Sequence, residues 1–166
     1  VDAGSTYDGS AATTISGLWH LIGEEVTVLA DGSVHPPVTV SATGTITLES
    51  AASLVHVGLG YNADIETLPM AIETEAFGLT DLKNVNEVFL RVVNSSGVMA
   101  GPDFDHLTEA PRRSTETYDS PPSLVNGQVD IVIDSAWDSE STVCVRQAEP
   151  LPLTVCALVF DVVKGG

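Results

Sequence analysis

Residues 15–68 read ISGLWHLIGEEVTVLADGSVHPPVTVSATGTITLESAASLVHVGLGYNADIETL, and this stretch decides the fold class. Val26-Thr27-Val28-Leu29-Ala30 leads into Asp31-Gly32, and Val38-Thr39-Val40-Ser41 leads into Ala42-Thr43-Gly44. Thr45-Ile46-Thr47-Leu48 and Leu54-Val55-His56-Val57-Gly58 follow. β-Branched residues on a two-residue period, bounded by Gly, Asp and Pro, predict short strands with one buried face. Asp31-Gly32 predicts a tight hairpin, because a type I′ turn needs two residues that tolerate positive φ. Pro36-Pro37 cannot donate to a ladder, so the next strand is expected to begin at Val38, at a sheet edge. Val55, Val57 and Leu59 are placed on one face, and Leu54, His56 and Gly58 on the other. Tyr61–Asp64 reads as a turn or bulge before Ile65–Leu68.

Outward toward the N-terminus, residues 1–14 (VDAGSTYDGSAATT) are small and polar. Residues 1–12 read as a linker or lead-in segment, with an edge strand starting near Thr13–Ile15. The first β-unit is therefore drawn at 13–68. Gly17–Gly23 is a glycine-bounded loop whose Trp19 and leucines are expected to lid the end of a barrel or sandwich. Trp19 is also a candidate ligand platform. The chain begins Val1-Asp2-Ala3-Gly4 without an initiator Met and reads as a piece of something longer.

Outward toward the C-terminus, residues 69–83 read as a connector, with at most a helical turn over Met70–Phe77 that Gly78 ends. Val85–Val93 alternates again, with Val88, Leu90 and Val92 on one face and Phe89, Arg91 and Val93 on the other. Asn94-Ser95-Ser96-Gly97 reads as a hairpin turn into Val98-Met99-Ala100, a reading preferred to its formal match to a glycosylation sequon. Residues 101–126 read as a long irregular loop holding four prolines and the pair Arg112-Arg113. Strands are expected at Gln128–Ile133, Ser141–Arg146 and Thr154–Val163. A connection centred on Pro150 would set Cys144 opposite Cys156 on neighbouring strands, as paired thiols rather than a disulfide. The second β-unit spans 84–166. One continuous domain is the alternative.

Composition narrows the function classes. The chain has 166 residues, long enough for one large β-domain or two small ones, and 43% are apolar. Twenty-three acidic residues face six basic ones, a formal net charge of −17. Such a surface repels nucleic acid and anionic membranes. It suits either a screened, salty medium or a wall that DNA slides past. No apolar run approaches the roughly 18 residues of a membrane span, and no signal peptide is visible.

There is no phosphate-cradling glycine loop, no Gly-x-Ser-x-Gly and no His-Glu-x-x-His. His20, His35, His56 and His106 are scattered, without metal-ligand spacing to one another or to a Cys. Asp103-x-Asp105-His106 is the best candidate cation site, because hard cations take clustered carboxylates; a solvated acidic loop is the preferred reading. The residues assign no catalytic, cofactor or metal site.

Several phrases together carry a family likeness. Thr6-Tyr7-Asp8-Gly9 runs to Thr14-Ile15-Ser16-Gly17-Leu18, then His20-Leu21 and Gly23-Glu24. Val26–Val34 is the second phrase. Val55-His56-Val57-Gly58-Leu59 with Tyr61 and Ile65–Pro69 is the third. Gly101-Pro102-Asp103, Val145-Arg146-Gln147 and Pro150–Val155 close the series. In this order they resemble the C-terminal part of structural proteins of short-tailed phages and related prophages, of the tail, stabilisation or nozzle kind. The likeness is thinnest over 70–84 and 104–127. It implies a non-enzymatic virion component, oligomeric around the tail axis, that follows a larger N-terminal region. Trp19 departs from the family pattern, where a polar residue is usual; so does the strand around Arg91, whose missing basic run puts any inherited phosphate or DNA contact in doubt.

The expectation is an all-β protein, a sandwich or two small packed β-units, acting as a tail or nozzle-type subunit. It would assemble as a ring in the host cytoplasm, contact neighbouring tail or adaptor proteins and pass DNA through an acidic lumen. The rival is a receptor- or glycan-binding β-sandwich on the virion surface, with Trp19, Tyr61 or Tyr118 as stacking platforms. A cell-wall hydrolase is a distant third.

Overall fold

The computed structural model describes residues 1–71, 81–111 and 121–165. It is all-β, with three antiparallel sheets, and the chain divides into two compact units. The first consists mainly of Val1–Asn62; most of the chain from Ala63 onward forms the second, apart from residues 121–123 and Ala148–Leu151, which belong to the first.

The first unit is a four-stranded sheet in the order β1-β4-β2-β3, from β1 Asp2–Ser16, β2 Glu25–Ala30, β3 Ser33–Thr39 and β4 Thr45–Leu59. Its buried core gathers Ile15, Leu18, Leu21, Val26, Val28, Val40, Ile46, Leu48, Val55 and Val57. Residues 1–12 are not a linker. Asp2–Ser16 is a 15-residue edge strand laddered on β4. Its Gly, Ser and Asp side chains have poor strand propensity, but cross-strand pairing and an edge position outweigh that preference. Tyr7 and Ala12 also lean on the core.

The two runs Thr45–Leu48 and Leu54–Gly58 prove to be one strand. Buried positions fall at 46, 48 and 52 and then at 55 and 57, so the period changes phase within β4. The ladder to β1 shifts register at Asp8/Ala12 and again at Ala12/Thr14. A bulge reverses which side chains face inward, and in the sequence it looks like a strand end.

Asp31-Gly32 forms the expected two-residue hairpin, with Ala30 paired to Ser33 and φ of 46° and 83° at the two turn residues. The following strand begins at Ser33, not Val38, and runs through Pro36-Pro37. The β2–β3 register shifts between Val26 and Val28, opposite those prolines, on the outermost strand. Missing N–H groups are tolerated at such a position.

Asp31 also brackets β4. Its N–H donates to the Leu54 carbonyl at 2.8 Å, and its carboxylate accepts the N–H groups of Ser53 and Leu54 at 3.1 and 2.8 Å. Asp31→Ala is expected to cost about 2 kcal/mol, combining lost hydrogen bonds with alanine strain at positive φ. Asp31→Asn, which keeps an acceptor and tolerates that φ, should cost about half as much. Urea unfolding of both variants measures this; equal losses would show that the backbone conformation and not the bracket matters.

The second unit packs two sheets over one core, a small sandwich. One sheet has the order β5-β10-β7-β8, from β5 Ala63–Glu66, β10 Cys144–Gln147, β7 Met99–Gly101 and β8 Thr108–Glu109. The other is β11-β6-β9, from β11 Val155–Lys164, β6 Lys83–Ser95 and β9 Val125–Val132. Val88, Leu90, Val92 and Ile131 of the second sheet share a buried cluster with Ala100 and Val145 of the first and with Val98 and Val143, the residues just before β7 and β10. The alternation read in Val85–Val93 holds, since Val88, Leu90 and Val92 are buried while Arg91 and Val93 are exposed.

The unit boundary lies at Asn62/Ala63, because Ala63–Glu66 pairs with β10 instead of extending the first sheet. Asn94–Gly97 is not a hairpin turn: β6 pairs with β11 and β9, whereas β7 pairs with β10 and β8, so the chain crosses between sheets here. Asn94, with φ 45°, is held by Asn126, whose Oδ1 accepts its N–H and whose Nδ2 donates to its Oδ1. Cys144 and Cys156 lie in different sheets, one buried and one exposed, and both are free. Burial pushes the Cys144 thiol upward, with the Glu66, Asp103 and Asp64 carboxylates adding to it. Within the long loop, Thr108–Glu109 form β8 and pair with β7. Its Arg112-Arg113 and Tyr118, and nearly all of the Met70–Phe77 helical turn, lie outside the described residues.

Candidate functional site

The richest cluster of polar chemistry in the second unit surrounds the loop between β7 and β8. Gly101 ends β7, and the chain turns back through Pro102–Leu107 so tightly that a Cβ on Gly101 would collide with the His106 carbonyl oxygen. Asp103 organises this turn. Its Oδ1 accepts the N–H groups of Asp105 and His106, each at 2.8 Å, and both carboxylate oxygens lie 2.9 Å from His106 Nδ1. The sequence singled out Asp103, Asp105 and His106 as a cation site. The structure brings Asp103 and His106 together, but the Asp103 carboxylate is engaged by its own loop. Among the described residues no three His, Cys, Asp or Glu side chains gather in a metal-binding arrangement.

The pair shifts both partners. The hydrogen bond from His106 holds the Asp103 carboxyl below its ordinary 3.8, aided by the two backbone donors. The same bond, with the charges of Asp103, Asp105 and Asp134, raises His106 above its ordinary 6.5. A raised histidine contributes stability that is full below 6.5 and is lost as pH climbs through the folded value. A depressed carboxylate contributes stability that is full above 3.8 and is lost as pH falls through the folded value. The loop is therefore held best between those two ordinary values. An NMR titration should place His106 above 6.5, and Asp103→Asn should return it toward that value. An unmoved midpoint in the variant would remove Asp103 as the cause.

A guanidinium anchors the loop from beside it. Arg146 on β10 holds the Asp64 carboxylate of β5 through two bonds, Nε to Oδ1 at 2.8 Å and Nη2 to Oδ2 at 2.7 Å. That guanidinium lies 4.6 Å from the Phe104 ring centroid, and Nη1 reaches the Phe104 carbonyl at 3.5 Å. The two-pronged contact holds Asp64 below the usual carboxylate range. Nothing in the sequence flagged this trio, because Arg146 and Asp64 are 82 positions apart and meet only through strand pairing.

A cleft of about 500 Å³ opens beside the loop, lined by Asp103, His106, Asp134, Ser135, Asp138 and Ser141 among others. Ser135 Oγ lies 2.7 Å from the Val85 carbonyl and accepts the Val85 N–H, while Ser141 Oγ lies 3.1 Å from the Lys83 carbonyl. Both hydroxyls are thus tied into the β6 backbone. The cleft offers negative charge and hydrogen-bond acceptors. Among the described residues it does not set a nucleophile against a base.

The other histidines each serve local structure. His20 Nε2 lies 2.9 Å from the Ala3 carbonyl, His56 Nδ1 lies 2.9 Å from Thr6 Oγ1, and His35 Nε2 accepts the Glu49 N–H.

No family model matches the chain, and no curated protein matches it. The likeness to phage tail proteins rests on the quoted phrases alone.

Of the proposed aromatic platforms, Trp19 is 66% exposed and Tyr61 61%. Trp19 does not lid the core; Leu18 and Leu21 on either side of it do. Its ring lies over Gly44, where an added Cβ would come within 2.9 Å of the indole. No helix among the described residues is long and apolar enough to cross a membrane.

Proposed function

We propose that this chain is an architectural, non-enzymatic subunit of a multi-copy virion structure, of the tail or nozzle type its sequence resembles. One observation carries the reading. Among the described residues strand β11 runs ten residues with β6 on one side only, and its sequence VCALVFDVVK has no proline and a single interior charge. Long, apolar edges template pairing with another chain, and proteins that work alone usually blunt them. In an assembly a neighbouring subunit covers such an edge. The charge of −17 suits a DNA-conducting lumen, since like charge keeps the genome from sticking.

Imaging of the parent particle tests the proposal. A ring near the tail axis whose subunit density fits the β11-containing sandwich is the expected result; density confined to peripheral spikes or fibres would sink it. Lysines introduced along the lumen should slow genome ejection, and unchanged ejection would remove the electrostatic part.

Exposed Trp19 and Tyr61 favour a second reading, a glycan-binding module, because flat aromatic faces stack on sugar rings. A glycan array with wild type and Trp19→Ala decides that reading: hits lost in the variant support it, and no hits dismiss it.

A further inference from the structure

We propose that the outer face of the β11-β6-β9 sheet is a docking surface for an extended, cationic and apolar segment of a partner protein. The surface goes beyond the virion reading and does not depend on it. Cross-strand pairing fixes its layout. Val159, Phe89 and Asp130 form one row across the sheet, and Asp161, Glu87 and Val132 form the next. Val132 is 70% exposed and Val159 58%, with the Phe89 ring between strands partly covered. Within these two rows apolar side chains and carboxylates alternate along each strand on one solvent-facing surface, and the next row holds Ala157, Arg91 and Gln128.

The carboxylates indicate what covers it. Asp161 and Glu87 are direct cross-strand partners, and like charges in that position destabilise a sheet. Among the described residues neither makes an ion pair. The free chain thus carries an electrostatic penalty beside exposed valines, and a cation placed over that row removes it. A second copy of this face would add carboxylates to carboxylates, so self-pairing is disfavoured. Same-face residues two apart on a strand are about 6.8 Å apart, and an extended partner presents its own side chains at that spacing. A partner with an apolar residue at one position and Lys or Arg two residues on therefore matches both rows.

A sixteen-residue peptide of four Val-Ser-Lys-Ser repeats probes this surface on the full chain by NMR titration. Saturable shifts centred on Glu87, Phe89, Val132, Val159 and Asp161 are expected, with binding that weakens as salt rises. Glu87→Gln with Asp161→Asn should weaken binding about fivefold and raise the melting temperature of the free chain. Val132→Ser with Val159→Ser should weaken it about tenfold. A peptide with Ser in place of Val that binds equally well would reduce the effect to net charge and overturn the proposal. Shifts at these residues on concentrating the chain alone would assign the face to a second copy, which also overturns it. So would absent binding, or shifts elsewhere.

Discussion

Gly101→Ala is expected to lower the unfolding free energy by about 3 kcal/mol and to release the Pro102–Leu107 loop. The new methyl would overlap the His106 carbonyl oxygen and sit 2.9 Å from its carbonyl carbon and 3.1 Å from Leu107 Cα. All three are main-chain atoms, so no rotamer change relieves the clash. The loop must move. Moving it strains the pairing of Ala100 with Thr108 and Met99 with Glu109, which is the whole of the β7–β8 ladder. It also separates His106 from Asp103 and Phe104 from Arg146. Two measurements read the result together: urea unfolding for the energy, and the His106 titration midpoint for the loop. The midpoint should fall toward 6.5 as the Asp103 bond is lost. A variant losing less than about 1 kcal/mol with its His106 midpoint unchanged would show that the turn has room that its backbone spacing denies.

Leu90→Ala is the second large effect, about 3 kcal/mol within the usual 2–5 for a buried leucine. Leu90 is fully buried at the centre of β6, with Leu158 of β11 and Val129 of β9 as its cross-strand partners. Partners on both sides hold the cavity open, so little of the lost contact can be recovered by collapse. Arg91→Ala, one residue on and facing out, should change stability by no more than about 0.5 kcal/mol. Denaturant unfolding of the two variants side by side tests the two-faced character of the sheet. Equal losses would mean that the outer face is packed as tightly as the inner one.

The free cysteines carry the clearest lesson about reading strands without their sheets. Cys144 and Cys156 flank a Pro-rich connection, and local spacing suggests a hairpin that sets them face to face. The connection instead carries the chain from β10 in one sheet to β11 in the other. Asn94–Gly97 misleads in the same way, since a turn-forming sequence bends the chain without specifying its next partner. β1 fails in the opposite sense: its composition reads as linker, but β4 pairs with it from Asp2 to Ser16 across three register shifts. Lys83 is a further case, fully buried at the start of β6 with its Nζ donating to the Asp81 carbonyl, although lysine in a sequence normally marks the surface.

What the sequence determined by itself is local. The two-residue period of Val26–Ala30 and Val85–Val93 set their buried faces, and Asp31-Gly32 set a two-residue hairpin, because both depend on residues within a few positions of each other. The β-branched runs on a two-residue period, punctuated by Gly, Asp and Pro, set the all-β class. Tertiary structure alone decided which strands share a sheet, where β4 changes phase, and that Arg146 meets Asp64 and Phe104. Those outcomes are set by pairing between distant segments, where the free energy of a shared core outweighs local preference and leaves no periodic mark on the chain.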